Sequence, residues 1–101
     1  MKLAKKLEEA GSKLIVLECI EMNTAKKITE ELIIPTIGIG ASKYCDGQVL
    51  VIDDIINLGS SNNKPKFIKT YTNIEENIIN AVKNFTKDVK SKKYPSKKYS
   101  Y

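Results

Sequence analysis

Three short apolar runs in the first half of the chain restrict the folds open to it. In "KLIVLEC", residues 13–19, aliphatic side chains occupy consecutive positions instead of alternate ones, so the strand it predicts must be covered on both faces. "PTIGIG", residues 35–40, predicts a second such strand, and "QVLVID", residues 48–53, a third. Between the first two lies "TAKKITEEL", where Ala25, Ile28 and Leu32 fall on one side of a helix that Asn23 or Thr24 can cap and Pro35 ends. Residues 41–47, "ASKYCDG", read as a loop. Upstream, "LAKKLEEA", residues 3–10, predicts a helix with Leu3, Leu7 and Ala10 on one face and Gly11 as its stop. Buried strands joined through helices belong to a parallel sheet under helical cover, which makes the expected class α/β, a β/α barrel or a doubly wound sheet.

Beyond Asp53 the alternation stops. "DIINLGSSNNKPKF" opens as a short apolar turn and becomes a polar loop. "NIEENIINAVKNFTKDVK", residues 73–90, predicts a long helix: Asn73 is placed to cap it, Glu76 follows three residues on as in a capping box, and Ile74, Ile78, Val82, Phe85 and Val89 form one stripe. The tail carries an imperfect repeat, KKYPS then KKYSY, and is expected to be extended and partly mobile. At 101 residues the chain holds at most one domain. Within it, residues 1–72 form the sheet portion and residues 73–101 the amphipathic helix and lysine-rich tail.

Composition removes several chemistries. No histidine is present, so His-based zinc sites and Ser-His-Asp triads are excluded, and proton transfer falls to Asp, Glu, Lys, Tyr or Cys. Cys19 and Cys45 lie far apart without CxxC spacing and are expected to stay reduced. The net charge of +5 is a property of the tail, since residues 83–101 hold seven lysines against one aspartate. Lysines with Tyr94, Tyr99 and Tyr101 suit a nucleic-acid or anionic surface. Lysine runs are more often solvated ends, however, and without arginine no bidentate phosphate contact exists. Neither nucleic acid nor membrane is the expected partner. No apolar run approaches the roughly 18 residues of a membrane span, and the mixed charges of "MKLAKKLEEAG" are unlike a signal peptide, so a cytoplasmic location is expected.

Glu18 is the residue that stands out. Leu14, Val16 and Glu18 share one face of the first strand, and Ile15, Leu17 and Cys19 share the other. Glu18 thus ends an apolar row at the strand's C-terminal end, where parallel α/β sheets bind ligands. Apolar surroundings tune a carboxylate toward proton transfer; alternatively, the strand ends there and the acid faces water or a lysine. Gly38 and Gly40 alternate with Ile37 and Ile39 and permit close approach of a ligand or, equally, tight packing. Asp46-Gly47 reads as a turn, and of Asp53 and Asp54 one is expected to cap or turn a helix instead of holding a cation.

The ordered combination of "LEEAG", "IVLEC", "AKKITEELIIPTIGIGAS", "CDGQVLV" and "KPKFIKTY" resembles the C-terminal part of the ketopantoate hydroxymethyltransferase family. The resemblance implies the last three strands, with their helices and tail, of a (β/α)8 TIM barrel in a decameric assembly. It implies transfer of a hydroxymethyl group from 5,10-methylenetetrahydrofolate to 3-methyl-2-oxobutanoate in pantothenate biosynthesis, with magnesium bound to the oxo acid. Glu18 matches the family's proton acceptor. Ser42 stands where the family has glycine, Asp53 where it has histidine, "SSNN" where its loop is less polar, and Lys97-Lys98-Tyr99 where it has Glu-Glu-His. The family's magnesium ligands match no residue here, and neither do its substrate-binding Ser and Lys.

The function implied is therefore that of a C-terminal fragment of the transferase, inactive alone. Two alternatives stand beside it: one half of a split enzyme completed by an N-terminal partner, and a non-enzymatic binding or assembly module using the basic tail. The partners implied are the oxo acid, an N-terminal half, or further copies of the chain.

Overall fold

The computed structural model describes residues 1–59 and 63–101; the polar-loop expectation for "SSNN" lies outside the described residues except at Asn63. The chain divides into two compact units, one holding residues 1–51 and 63–69, the other 52–59 and 70–101.

The first unit is α/β. Helix α1 (Lys2–Glu9), strand β1 (Ile15–Glu18), helix α2 (Met22–Glu31), strand β2 (Thr36–Ile39) and strand β3 (Gly47–Gln48) follow in chain order, and the sheet is parallel in the order β1-β2-β3. The register pairs Ile15 with Thr36 and Leu17 with Gly38 on one face, and Val16 with Ile37 and Glu18 with Ile39 on the other. Only the first of these faces is covered. Ile15 and Leu17 pack with Ala4 of α1, Ala25 and Ile28 of α2, and Cys45 into the core. On the second face Leu14, Val16, Val49 and Val51 stay about half exposed, so the row ending in Glu18 faces outward.

Helix α2 has only 10 residues, too few to persist alone, so burial of Ala25 and Ile28 holds it in place. Its cap is Glu21, where the sequence suggested Asn23 or Thr24. The Glu21 carboxylate accepts from the Asn23 and Thr24 backbone N–H groups at 2.9 and 2.8 Å. Helix α1 ends as expected at Gly11, whose φ of +98° permits the Gly11 and Ser12 N–H groups to close on the Glu8 and Leu7 carbonyls. Its inward face differs from the expected one. Ala4 is buried, while Leu3 remains 70% exposed and Leu7 42%. On the same helix Glu8 Oε1 accepts from the Ile33 and Ile34 N–H groups at 2.6 and 3.1 Å, which ties the end of α1 to the segment before β2.

The third strand is shorter than expected. It covers Gly47–Gln48, with one further bond from the Val49 N–H to the Gly38 carbonyl, and Ile52 and Asp53 already belong to helix α3 (Ile52–Ile56). An apolar run such as "QVLVID" fits a buried strand and a helix start equally well.

The second unit holds α3 and helix α4 (Ile74–Lys90). Asn73 caps α4 as expected, its Oδ1 accepting from the Glu76 N–H at 3.2 Å. In the capping box the Glu76 carboxylate is met by the Asn73 side-chain amide at 3.0 Å. The C-terminus closes with the Lys93 N–H on the Asp88 carbonyl and the Lys92 N–H on the Val89 carbonyl, which sets Lys92 at φ +56°. The tail is not simply extended. Residues Lys97–Tyr99 form a 3-10 turn, and the Tyr94 ring stands edge-on to Phe85 at 5.6 Å and beside Tyr99 at 6.0 Å. No described residue of this unit is buried.

Candidate functional site

Parallel strands deliver their C-terminal ends to one edge of the sheet, and the first unit gathers its loops there. After Glu18 the chain turns sharply at Cys19, which has φ +52° and donates its N–H to the Ile39 carbonyl at 2.9 Å. That turn leads directly into Glu21 and the start of α2. Besides the two N–H groups, the Glu21 carboxylate accepts from the Thr24 hydroxyl at 3.0 Å. The hydrogen bonds from Asn23 and then Thr24 hold its carboxyl below the usual glutamate range.

After β2 the chain bends at Gly40, with φ +60°, and Phe67 lies so close that a Cβ on Gly40 would stand 2.6 Å from the ring. Residue 40 therefore has to be glycine on two counts, conformation and space. The following loop is pinned by Gln48, whose Nε2 donates to the Ser42 carbonyl at 2.7 Å, and by the Tyr44 N–H, which donates to the buried Ser42 hydroxyl at 3.3 Å. At the opposite ends of β2 and β3, Asp46 accepts from the Thr36 N–H at 2.8 Å and from its hydroxyl at 3.2 Å. Thr36 is fully buried and its hydroxyl also meets Thr29 at 2.7 Å, so Asp46 anchors a polar network instead of serving only as a turn residue.

These loops enclose a cleft of about 950 Å³ at the strand ends. It is lined by residues 19–22 after β1, residues 40–43 after β2, Gln48, and Pro65, Lys66 and Phe67 from the later segment. Glu18 is next to the cleft in sequence but lies on the open sheet face, exposed and laterally paired with Ile39. Gly38 and Gly40 meet different neighbours: Gly38 faces Gln48 and the Cys45 sulfur, and Gly40 faces Phe67. Cys19 is exposed and Cys45 buried, both as free thiols. Asp53 and Asp54 lie in the first turn of α3, where negative charge favours the helix. Among the described residues no group of three or more acids, cysteines or histidines could hold a metal ion, and no helix is long and apolar enough to cross a membrane. Sequence reasoning singled out Gly40 but missed Lys43, Lys66 and Phe67 as cleft residues. No periodicity links the segment after residue 62 to the end of β2; only the vacancy at Gly40 hinted at a close neighbour.

Comparison with known proteins gives a consistent picture. A model of the family described as ketopantoate hydroxymethyltransferase matches residues 1–97. The chain is 54% identical over 98 residues to the 3-methyl-2-oxobutanoate hydroxymethyltransferase of Pelagibacter ubique, covering 97% of this chain and 37% of that protein. It is 51% identical to the enzyme of the same name from Clostridium botulinum and 48% identical to that of Bacillus cereus, in each case over 97% of this chain and 35% of the relative. The chain thus spans about a third of the length of the curated relatives it matches.

Proposed function

The chain belongs to the ketopantoate hydroxymethyltransferase family, and from that premise we propose that it supplies β1 to β3 of a (β/α)8 barrel whose other strands close over its open sheet face. In that assembly Glu18 is the base for hydroxymethyl transfer to 3-methyl-2-oxobutanoate. The carboxylate removes the proton from the carbon next to the oxo acid's carbonyl. The resulting enolate carbon forms the new C–C bond to the one-carbon unit of 5,10-methylenetetrahydrofolate. Overall, one water is consumed, and ketopantoate and tetrahydrofolate leave.

The observation that carries this reading is the position of Glu18: the last residue of β1, at the strand ends, on a face where Leu14, Val16 and Val49 are left exposed. Apolar rows of this extent mark a surface that another element covers. Once covered, they exclude water from around the carboxylate and the carbon it acts on. Among the chain's described residues no group of three or more acids or cysteines is placed to hold a metal ion. The metal implied by the resemblance would be held by residues outside this chain, and no step above passes through it. The half-exposed stripe of α4 supports assembly with further chains.

The chain alone should form no ketopantoate from the oxo acid, the folate donor and magnesium. Adding the portion of the Pelagibacter ubique enzyme that this chain does not match should restore formation, and Glu18→Gln should lower the restored rate by about a thousandfold or more. Turnover by the chain alone, or a restored rate that Glu18→Gln leaves within a few-fold, overturns the reading.

A further inference from the structure

The part of the cleft wall that follows β2 leads into a turn, Ser42–Cys45, which the Cys45 N–H closes by donating to the Ser42 carbonyl at 3.2 Å. Lys43 and Tyr44 occupy its tip. A turn closed by one backbone bond at an exposed loop tip opens readily, and a wall that opens cannot hold a ligand in one place. Three further contacts restrain this one. The Ser42 hydroxyl, on a residue only 3% exposed, accepts from the Tyr44 N–H at 3.3 Å. From α2, the Lys26 ammonium stands over the Tyr44 ring at 4.7 Å. The shortest contact is the Gln48 Nε2 donating to the Ser42 carbonyl at 2.7 Å, so that this one oxygen takes two donors.

Gln48 reaches Ser42 because β2 offers no side chain beside it. The register pairs Gln48 with Gly38. A Cβ on Gly38 would stand 2.9 Å from Gln48 Oε1, 3.2 Å from its Nε2 and 3.1 Å from the Cys45 sulfur. The amide therefore lies across bare backbone, in space that any other residue at 38 would fill. Gln48 is itself exposed and stands outside the buried core, yet it lines the cleft.

We propose that Gln48 is a positioning residue: seated over Gly38, its amide tethers the Ser42–Cys45 turn to the sheet and so sets the place of residues 40–43 in the cleft wall. It acts through the Ser42 carbonyl, apart from the proposed base Glu18. Its effect on catalysis rests on the proposed transferase function, whereas the tether belongs to this chain alone.

Two measurements test it. In the first, amide hydrogen exchange of the full chain reads the Tyr44 and Cys45 N–H groups, which both bond to Ser42. Gln48→Glu keeps the length and shape of the side chain but removes its donor at neutral pH. Protection of these two N–H groups should fall about three- to tenfold, as for one lost hydrogen bond, while the Ala25 N–H in α2 keeps its own. Gly38→Ala, whose Cβ displaces the amide, should produce the same loss. Unchanged protection at Tyr44 and Cys45 in both variants overturns the tether, as does an equal loss at Ala25, which marks general unfolding. The second measurement uses the enzyme reconstituted with the unmatched portion of the Pelagibacter ubique protein. There Gln48→Glu should raise the KM of at least one reactant about tenfold and leave kcat within about threefold, because a displaced wall weakens binding. A smaller folded fraction would instead lower kcat and leave both KM values unchanged. That result overturns the positioning role, and so do kinetics identical to those of the unsubstituted pair. If the unsubstituted pair shows no turnover, the transferase reading falls, and the exchange measurement decides the tether by itself.

Discussion

In the first unit Ala25 is fully enclosed, and Leu17 and Ile28 keep 5% of their surface; in the second, Ile78, Val82, Phe85 and Val89 each keep between 45% and 58%. Both units carry long aliphatic side chains at regular spacing. What separates them is the number of neighbouring elements. Backbone pairing sets β1 beside β2 and β3, and the connections lay α1 and α2 over the resulting face, so each apolar residue there meets several others. Among the described residues of the second unit the stripe of α4 stays about half exposed, and the tail brings Tyr94 to Phe85. The first unit therefore has a buried core and the described residues of the second have none, while hydrogen bonds close both ends of its helix.

Substitutions can break this comparison, and the largest effect belongs to the buried face. Ile28→Ala should destabilise the chain by about 2–5 kcal/mol, enough to abolish a cooperative melt in a protein of ordinary marginal stability. Val82→Ala in α4 should change it by no more than about 0.5 kcal/mol. Equal losses in chemical denaturation would show that the α4 stripe is covered in solution. Next comes Thr36→Val, which leaves the buried Thr29–Asp46 network without its central hydroxyl and should cost about 1–3 kcal/mol.

Acid should act on the first unit through Glu8. The N–H groups of Ile33 and Ile34, with Lys5 beside them, hold the Glu8 carboxyl below its ordinary value of 4.5. Because the folded value is depressed, the stabilisation is complete above the ordinary value and is lost as pH falls through the folded one. Thermal midpoints measured from neutral pH down through this range should fall, and Glu8→Gln should flatten part of that fall. An unchanged profile would remove Glu8 from the account.

The smaller effects sharpen the second half of the comparison. Asn73→Ala removes the cap of α4 and should cost about 1 kcal/mol of helix stability, read as lost far-UV circular dichroism. Lys92→Gly should do the reverse by about 0.5–1 kcal/mol, since glycine adopts the positive φ there without strain.

Features that depend on near neighbours in the chain were legible in the sequence. They include β1 ending in Glu18, α4 with its Asn73 cap, and the stop of α1 at Gly11. Others were not. The α2 cap fell to Glu21 because the turn at Cys19 brings that carboxylate beneath the helix, and several polar residues in a row left the choice open. The length of β3 depended on how far β2 continues beside it, a condition absent from "QVLVID" itself.

The sequence by itself determined the parallel α/β character, the helix ends and the placing of an acid at the tip of an apolar row, because hydrogen bonding and side-chain periodicity operate over a few residues. Only the tertiary structure decided which side of that row is covered, that Glu8 ties α1 to the Ile33 N–H, and that Phe67 meets Gly40 beside Lys43 and Lys66 in one cleft. Those outcomes depend on packing and on contacts between residues far apart in the chain, and no local pattern encodes them.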